Sequence, residues 1–495
     1  MAESQRGPGA SQATPYTSTG EPRYRNIAIT IVLLGVMMTG IDTSAVVLGL
    51  PVMVQDLHSD IISMIWVIMA YILVITILGT QVGRLGDMFG RVKLYNLGFA
   101  IFTFGSVLCG LSASGPQLIA FRVVQGIGGA LISSNSGAII ADTFPPRERG
   151  RAYGITGAGY SMGAIIGILI GGAFVTFLNW RYIFFINIPI GIVATAVGFA
   201  MLVERSPRTR ARLDVVGMVI LGVSLFFLLY GMTGITGSGL APEYDLELAV
   251  GLALLPVFVA FERRYSSPLL DLSLLKQRVL TASILAAFLQ SLASFAVLFL
   301  LIMYLQGPRD MSPWNAALLL IPGYILGGAV APFSGRLSDR LGARVVASAG
   351  LAMQICGFLV YSTLGLTTPT LVVVVGAILN GAGNASFFPA NNSAIMASAP
   401  ARAYGVVSGL LRTFSNIGMA CSFAVALLIA SLSIPRQVAF EIFLGVGKIQ
   451  GQLASAFVDG MHFALAGSIS VLLVALVLSI LRGKEARTAK PPVAA

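Results

Sequence analysis

The sequence predicts an all-α protein that crosses a membrane fourteen times. Of its 495 residues, 56% are hydrophobic and only 10% are charged, and the mean hydropathy is +0.87. A soluble chain carries about 25% charged residues because its surface faces water. The chain contains fourteen apolar segments, and a helix needs roughly 20 apolar residues to cross a bilayer. Most of the surface of this protein must therefore face lipid.

The apolar segments follow one another along almost the whole chain. The eighth segment is the shortest and the weakest candidate. The predicted spans are approximately 27–50, 61–82, 93–113, 117–141, 152–177, 181–203, 214–236, 246–261, 279–305, 314–334, 343–364, 368–392, 405–431 and 461–481. The segments before and after them are rich in Pro, Gly, Ser, Thr or basic residues, a composition typical of disordered tails.

Lysine and arginine predict the orientation of the spans, because both concentrate on the cytoplasmic side of membrane proteins. With the N-terminus in the cytoplasm, 26 of the 31 basic residues fall on that side, four fall outside, and Arg122 lies within a span. Both termini are therefore expected in the cytoplasm, in agreement with an even number of spans. The asymmetry also accounts for the net charge of +11 without a nucleic-acid partner.

An internal repeat divides the spans into two sets of six. The string 83–91 (GRLGDMFGR) follows the second span, and 335–342 (GRLSDRLG) follows the tenth, 252 residues later. At nearly the same offset, 125–128 (QGIG) in the fourth span parallels 380–383 (NGAG) in the twelfth. The predicted parts are an N-terminal tail (1–26), a six-helix half (27–203), two inserted helices (204–278), a second six-helix half (279–481) and a C-terminal tail (482–495). Duplicated halves are the usual architecture of secondary transporters, in which the substrate site lies between the halves.

Both copies of the repeated loop are candidates for a conformational gate. Their glycines allow a tight turn between two helix ends, and their Asp and Arg are positioned to pair with each other or with a helix terminus. Such a charge cluster can lock one conformation and release it in another, although an ordinary basic loop is the alternative. The candidate gate residues are Gly83, Arg84, Asp87, Gly90 and Arg91 in the first copy, and Gly335, Asp339 and Arg340 in the second.

Three further strings, together with the repeated loop, indicate a family. They are 40–51 (GIDTSAVVLGLP), 118–130 (LIAFRVVQGIGGA) and 179–191 (NWRYIFFINIPIG). Over about 27–481 the chain resembles the major facilitator superfamily, and its fourteen spans resemble the drug:proton antiporter branch. The first string departs from the family signature D-x-T…A-L-P by having Ser44 for Thr and Gly49 for Ala. The resemblance implies two six-helix halves with two helices inserted between them.

Asp42 and Arg122 are the candidates for coupling transport to protons. Asp42 is the one acidic residue deep within a predicted span, where a charge costs about 2.5–3.5 kcal/mol on insertion scales. We therefore expect it to face a water-filled cavity or a partner, and burial favours its protonated form. Asp142 and Asp214, in contrast, are expected at inner helix ends in reach of water. The resemblance implies a coupling role for Arg122; structural pairing is the alternative for both residues.

Two stripes of small residues are expected to meet between the halves. Spacing of four residues places each stripe on one helix face, where it permits close packing. The interface candidates are Gly159, Gly163, Gly167 and Gly171 in the fifth span, and Gly323 and Gly327 in the tenth. The antiporter motif of the family reads G-x-x-x-G-P-x-x-G-G here, and this chain has Ile168 at the proline position, which weakens the argument for drug export but leaves the fold unaffected.

A substrate cavity is expected near the middle of the second half. Its candidates are polar or aromatic residues within spans: Gln290, Asn380, Asn384, Phe387 and Phe388. Helix–helix contacts are the alternative for the amides. No cofactor or metal site is expected, since three distant cysteines and two histidines give no ligand spacing. No nucleophile–base pair suggests an enzyme.

These observations predict a proton-coupled secondary transporter in the plasma membrane. With the resemblance, the leading interpretation is an antiporter that exports amphipathic or hydrophobic compounds by alternating access. Its expected partners are a small-molecule substrate, protons and the lipid bilayer, and it is expected to be a monomer. The alternatives are an exporter or importer of one metabolite, lipid or peptide-like solute, and a transport-dead sensor or scaffold. The sequence does not identify the substrate, the transport direction or the coupling ion.

The orientation can be tested by labelling single cysteines in a cysteine-free background. A membrane-impermeant thiol reagent applied to intact cells should label a cysteine at Ser238 and leave a cysteine at Ser338 unlabelled. Permeabilised cells should show labelling of both, which controls for buried sites. Labelling at Ser338 but not at Ser238 in intact cells would reverse the orientation.

Overall fold

The computed structural model describes residues 22–204, 212–238, 242–265, 268–270, 272–398, 404–432 and 451–483. Within them the regular structure consists of fifteen α-helices and a short 3₁₀-helix at Leu272–Lys276. The α-helices are α1 (Pro22–Asp56), α2 (Ile61–Phe89), α3 (Arg91–Gly110), α4 (Gly115–Thr143), α5 (Pro146–Phe177), α6 (Tyr182–Phe185), α7 (Asn187–Met201), α8 (Val215–Ser238), α9 (Pro242–Glu262), α10 (Arg278–Gln306), α11 (Pro313–Leu341), α12 (Ala343–Tyr361), α13 (Thr370–Ser398), α14 (Tyr404–Leu432) and α15 (Gln452–Leu481).

The predicted all-α class and the count of fourteen spans are confirmed. Fourteen helical segments in the described part of the chain are long and apolar enough to cross a membrane. The short α6 and α7 together form one of them, Tyr182–Met201. The eighth span, the weakest in the sequence, is a helix of 21 residues because it begins four residues earlier than predicted, at Pro242, and ends one residue later, at Glu262. Each of the other spans corresponds to one helix, so the chain is a multi-pass membrane protein.

Two ends of the bundle can be distinguished. The end at which α1 begins, and at which Gly90 and Gly342 form turns, is called the basic end, and the other is called the opposite end. Gly90 connects α2 to α3 with a φ of 111°, and Gly342 connects α11 to α12 with a φ of 91°. Residues that carry a side chain rarely adopt a backbone φ in this left-handed region. The two copies of the repeat therefore place glycine at the one position in each turn that requires it.

Regular structure extends further toward both ends of the chain than predicted. Helix α1 begins at Pro22, so residues 22–26 belong to a helix, and residues 1–21 and 484–495 lie outside the described part. Arg482, predicted to lie in a disordered tail, is only 1% exposed. Its Nη1 donates to Oδ1 of Asn391 over 3.1 Å and to Oγ of Ser283 over 3.4 Å. The arginine therefore joins the end of α15 to α13 and α10.

The helices form two halves with a hairpin packed against both. Helices α1–α7 make up the first half and α10–α15 the second. The inserted helices α8 and α9 pack against each other, and α8 also contacts α2 of the first half and α14 of the second. Trp66 of α2 anchors one of these surfaces, with its ring 5.5 Å from that of Phe226 and 6.1 Å from that of Tyr230.

The prediction that the two glycine stripes meet between the halves is wrong. A Cβ on Gly163 would meet the Met37 backbone of α1, and one on Gly167 would lie 2.5 Å from the carbonyl oxygen of Ile41. The stripe of α11 instead faces α13, where a Cβ on Gly327 would lie 3.0 Å from the Gly381 carbonyl oxygen. Each stripe thus allows two helices of the same half to approach closely, because small residues permit backbone contact with whichever helix packs there.

The halves meet through other residues of α5 and α11, at the opposite end. The backbone N–H of Trp314 donates to Oγ1 of Thr176 over 3.0 Å, and its ring lies 5.9 Å from that of Phe177. Toward the basic end the same two helices have open space beside Gly157 and Gly328. The pair α5–α11 is therefore in contact at the opposite end, whereas nothing covers the faces of these two glycines toward the basic end.

One hydrogen bond spans the halves nearer the basic end. Arg412 lies about two turns inside α14, within the predicted span 405–431. Its Nη1 donates to the Ser133 carbonyl oxygen of α4 over 2.5 Å. The side chain is exposed, so this contact between the halves is not enclosed by the surrounding helices.

Substituting the stripe glycines should destabilise the protein within each half. Gly163→Leu and Gly327→Leu force a side chain against helix backbone, and overpacking costs typically about 1–3 kcal/mol. The expected result is a lower midpoint of thermal unfolding and impaired transport. Gly154→Leu is the matched control on α5, because nothing lies within 4 Å of its Cβ position. Equal behaviour of Gly163→Leu and Gly154→Leu would contradict the close packing of α1 on α5.

Candidate functional site

The centre of the first half holds a buried ion pair between Asp42 of α1 and Arg122 of α4. Nη1 of Arg122 lies 2.6 Å from Oδ2 of Asp42. The two side chains are 0% and 1% exposed, respectively. A charge in a low-dielectric interior is costly unless it is paired and hydrogen-bonded, and here each charge neutralises the other. The partner expected for Asp42 is therefore present, and the carboxylate itself is not exposed in this conformation.

Amide side chains complete the shell around the Asp42 carboxylate. Gln125 donates from Nε2 to Oδ1 over 2.8 Å, and Asn187 of α7 donates from Nδ2 to the same oxygen over 3.4 Å. Gln125 also accepts from Nη1 of Arg122 at its Oε1, over 2.6 Å, and its Nε2 is 2.8 Å from Oγ of Ser106 on α3. One amide thus bridges both charges, and four helices meet at this site.

Arg122 has further partners on α2 and α6. Its Nε donates to the carbonyl oxygen of Val67 over 2.8 Å, and its guanidinium lies 4.2 Å from the ring centre of Tyr71 and 5.8 Å from that of Phe184. Cation–π contacts of this kind gain strength when they are shielded from water. If Asp42 were neutralised, Arg122 would keep these partners. The carboxylate is therefore the one member of the pair whose charge a proton can remove.

The sequence identified the two charges but missed the residues that hold them. Gln125 lies three residues after Arg122, a spacing that places both on one helix face, and it was available in the string 118–130. Asn187 lies in the string 179–191. Tyr71 and Ser106 gave no signal, because apolar spans contain many such residues and nothing in one sequence shows which of them turn inward.

The first copy of the repeated loop forms the expected charge pairs. Arg91 lies 2.8 Å from Asp87, one turn earlier, and 2.7 Å from Asp142 of α4. Asp142 is partly exposed, as expected. Arg84 donates to the backbone carbonyls of Arg212 and Pro268, before α8 and after α9. Gly90 faces Glu204, whose Oε2 accepts from the Val92 N–H over 3.0 Å. This loop is therefore tied to its own half and to the hairpin.

The second copy of the loop shares one feature with the first and carries an additional charge. Gly335, like Gly83 in the first copy, has open space beside it, and Arg340 is exposed. The side chain of Asp339 lies outside the part of the structure that is described. Arg340 occupies the position that Met88 holds in the first copy, so its charge has no equivalent there.

The predicted cavity residues do not share one environment. Gln290 is buried, and its Nε2 donates to Oε1 of Gln354 over 3.0 Å. Phe387 is fully buried, with its ring 5.5 Å from that of Phe388. Asn384 is exposed, while Asn380 and Phe388 are half-buried. The interior residues Gln290 and Phe387 therefore contribute to helix packing, and the other three remain available to a cavity.

Asp214 contradicts the expectation that it lies in reach of water. Its side chain is 0% exposed. It precedes α8, and Oδ1 accepts from the Gly217 N–H over 2.8 Å, a helix N-cap arrangement. The loop after α9 covers it, because the Leu269 N–H donates to Oδ2 over 3.2 Å. A position at a helix end did not imply exposure here.

Comparisons with known proteins agree on one family. The family model described as Major Facilitator Superfamily matches residues 32–423. Among curated relatives, the riboflavin transporter RibZ of Clostridioides difficile is 30% identical over 402 residues, which cover 80% of this chain and 86% of RibZ. The tetracenomycin C resistance and export protein of Streptomyces glaucescens is 30% identical over 80% of this chain and 74% of its own length. The multidrug resistance protein Stp of Mycobacterium tuberculosis is 31% identical over 79% and 73%.

Solved structures share the fold of this chain. A bacterial homologue of the human lysosomal transporter Spinster, in an inward-facing and occupied conformation, superposes with a TM-score of 0.66. The two are 18% identical, and the match covers 94% of this chain and 97% of that one. At this identity the likeness concerns the architecture alone.

The Asp42–Arg122 pair predicts a non-additive effect on stability. Arg122→Leu leaves a buried carboxylate without its cation, and breaking such a pair costs about 3–5 kcal/mol. Arg122→Leu combined with Asp42→Asn should recover much of this loss, because no unpaired charge remains. Glu148→Gln, which removes an exposed pair with Arg25, is the control and should cost about 1 kcal/mol or less. Denaturation of the three purified variants and the unsubstituted protein measures these losses, and equal losses in the single Arg122→Leu and double variants would contradict the pairing.

Proposed function

The chain belongs to the major facilitator superfamily of membrane transporters, and from this premise we propose that it is a proton-coupled exporter of amphipathic or hydrophobic compounds. The transporter would lie in the plasma membrane as a monomer with both termini in the cytoplasm, so that the basic end faces inward. The distribution of basic residues, 26 inside against four outside, supports this orientation. The conformation described above would then be closed outside and separated at α5–α11 toward the cytoplasm.

The single observation that supports proton coupling is the sealed Asp42–Arg122 pair. A proton bound by Asp42 removes the carboxylate charge and with it the strongest link between α1 and α4. Arg122 keeps the Val67 carbonyl, the Gln125 amide and the Tyr71 ring, so the cation stays satisfied. Since Asp42 is 0% exposed here, proton uptake requires a second conformation in which water reaches it. Binding and release of the proton are therefore both tied to the conformational change, because Asp42 must reach water before it can exchange a proton.

The close packing of α1 on α5 connects this site to the contact between the halves. Gly163 and Gly167 face Met37 and Ile41, and Ile41 immediately precedes Asp42. A shift of α1 on protonation would therefore move α5, whose Thr176 and Phe177 contact Trp314 of the second half at the opposite end. The proposal therefore couples the protonation state of Asp42 to movement of α1 with α5, and through α5 to opening and closing of the opposite end.

Export of apolar compounds is supported by the relatives. Two of them are named for drug resistance or export, the tetracenomycin C protein and Stp. In this chain Asn380, Asn384 and Phe388 of α13 supply amide and aromatic groups to the proposed cavity. Uncharged amide and aromatic groups of this kind suit lipophilic substrates better than a charged solute.

A dedicated transporter of one metabolite is the second candidate. The relative RibZ is named a riboflavin transporter, and Ile168 replaces the proline of the antiporter motif in α5. Helix α5 is continuous from Pro146 to Phe177. A narrow substrate range in a panel of compounds would favour this candidate, whereas stimulation by chemically diverse compounds would favour multidrug export.

The proposal predicts loss of coupling in Asp42→Asn. Asn keeps the volume and the hydrogen-bonding capacity but binds no exchangeable proton, so uphill transport in proteoliposomes with an imposed pH gradient should be lost while downhill exchange survives. Asp42→Glu should keep partial activity with a shifted pH optimum. The control is Asp459→Asn, which changes an exposed acid on α15 and should leave gradient-driven transport intact. Full gradient-driven transport by Asp42→Asn would remove Asp42 as the coupling site and redirect attention to Asp459 and His462.

A further inference from the structure

A second pair of buried acids lies at the basic end, where the inserted hairpin meets α2. Asp214, just before α8, is 0% exposed, and Glu262, the last residue of α9, is 3% exposed. One carboxyl oxygen of each residue lies beside Gly217, so the two acids face the same small space. Nothing in the Asp42–Arg122 site involves either residue. Two carboxylates this close in a buried site cannot both be ionised at modest cost, because like charges repel strongly there.

The donors around the pair are unequal. Asp214 accepts two backbone N–H groups, from Gly217 at Oδ1 and from Leu269 at Oδ2. Glu262 accepts one, from Leu270 at Oε2 over 3.0 Å. Its other oxygen, Oε1, is buried and has no hydrogen-bond donor among the described residues. An N-cap role explains Asp214 alone, but it does not explain why a second carboxyl is buried beside it with an oxygen lacking a donor.

Glycine at position 217 provides the space in which the two oxygens converge. A Cβ there would lie 2.5 Å from Oδ2 of Asp214 and 2.7 Å from Oε1 of Glu262. The oxygen of Glu262 without a donor is thus directed toward an oxygen of Asp214. Two carboxyl oxygens facing each other satisfy both groups only when one of them is a hydroxyl.

We propose that Asp214 and Glu262 form a second proton-binding site, in which Glu262 holds the proton on Oε1 and donates it to Oδ2 of Asp214. The proton binds reversibly to the carboxylate from water, and no other bond changes. Asp214 is the acceptor because its two backbone donors stabilise the anion, whereas Glu262 has one. Among the described residues, the other charged group that faces Glu262 is Arg84 of α2.

The site also lies where Arg84 of the repeated loop hydrogen-bonds to the backbone on either side of the hairpin. Arg84 donates to the carbonyl oxygens of Arg212 and Pro268, which are two residues before Asp214 and one residue before Leu269. The arginine and the carboxyl pair therefore hold the same two backbone segments together. Loss of the proton places a second negative charge inside this junction, which should open the loop after α9 and weaken the hold of Arg84.

Thiol labelling in the full-length protein tests the site without measuring transport. Leu270 is 4% exposed, so a cysteine there reacts when the junction opens. Leu270→Cys is compared in a background lacking Cys109, Cys356 and Cys421, with and without Glu262→Gln, at each pH. Comparison at equal pH cancels the ionisation of the thiol itself. Opening releases a proton from Glu262, which ionises above about pH 4.3 when it is exposed. The labelling rate of the protein with Glu262, divided by that of the Glu262→Gln variant at the same pH, should therefore rise by up to about tenfold per pH unit above this value.

Parallel pH dependence in the two backgrounds would overturn the proposal. The same experiment in an Asp42→Asn protein should give the same ratios, because the two sites share no residue. Failure of this test would therefore leave the proposed coupling role of Asp42 untouched, and failure of Asp42 coupling would leave this site untouched.

Substitution of each acid tests which of them holds the proton. Glu262→Gln retains a donor toward Asp214 and mimics the protonated form, whereas Asp214→Asn removes the anion and directs an amide toward backbone N–H groups. Thermal unfolding at neutral pH should show the larger loss for Asp214→Asn. Equal or reversed losses would overturn the assignment of the proton to Glu262. If Asp214→Asn fails to fold, that result agrees with the expected order, and the labelling ratios remain the decisive measurement.

Discussion

The cost of placing a charge inside a membrane bundle is the constraint on which the rest of this structure depends. It confines Asp42 to a position opposite Arg122, and it requires that Gln125 and Asn187 complete the hydrogen bonds of the carboxylate. It also fixes the neighbours of α1, because the pair aligns α1 with α4 while the glycines of α5 bring that helix against the other side of α1. A site able to exchange a proton is therefore also the joint that positions three helices.

The pattern of charges and glycines predicted the architecture of the chain well, but it did not predict which helices contact each other. Spans and their number follow from apolar segments of sufficient length, and Asp42 and Arg122 stand out because isolated charges are rare in such segments. The partner of the Gly163 stripe could not be predicted, since small residues specify close approach but not the helix that approaches. For the same reason the pairing of α11 with α13 is visible only in the folded chain.

Helix ends were the least predictable part of the site. Asp214, Glu262 and Arg482 all lie within a residue of a helix terminus, where a polar residue normally faces water or headgroups. Each is buried here because a loop or a neighbouring helix covers it, as the N–H groups of Leu269 and Leu270 cover the two acids. Such coverage depends on long-range packing and on the course of short loops, neither of which has a period in the sequence.

The position of the hairpin has a mechanical consequence. Helix α8 contacts α2 of the first half and α14 of the second, so it bridges the two halves. When the halves rotate relative to each other, α8 must slide against one of these two helices. The face on α2 is fastened by the rings around Trp66 and by Arg84, whereas α14 meets α8 without a comparable described clamp. Sliding of α8 against α14 then requires less free energy than sliding against α2. The transporter would divide into unequal levers, with eight spans turning against six, and the axis of rotation would be displaced from the pseudosymmetry axis that relates the two repeats.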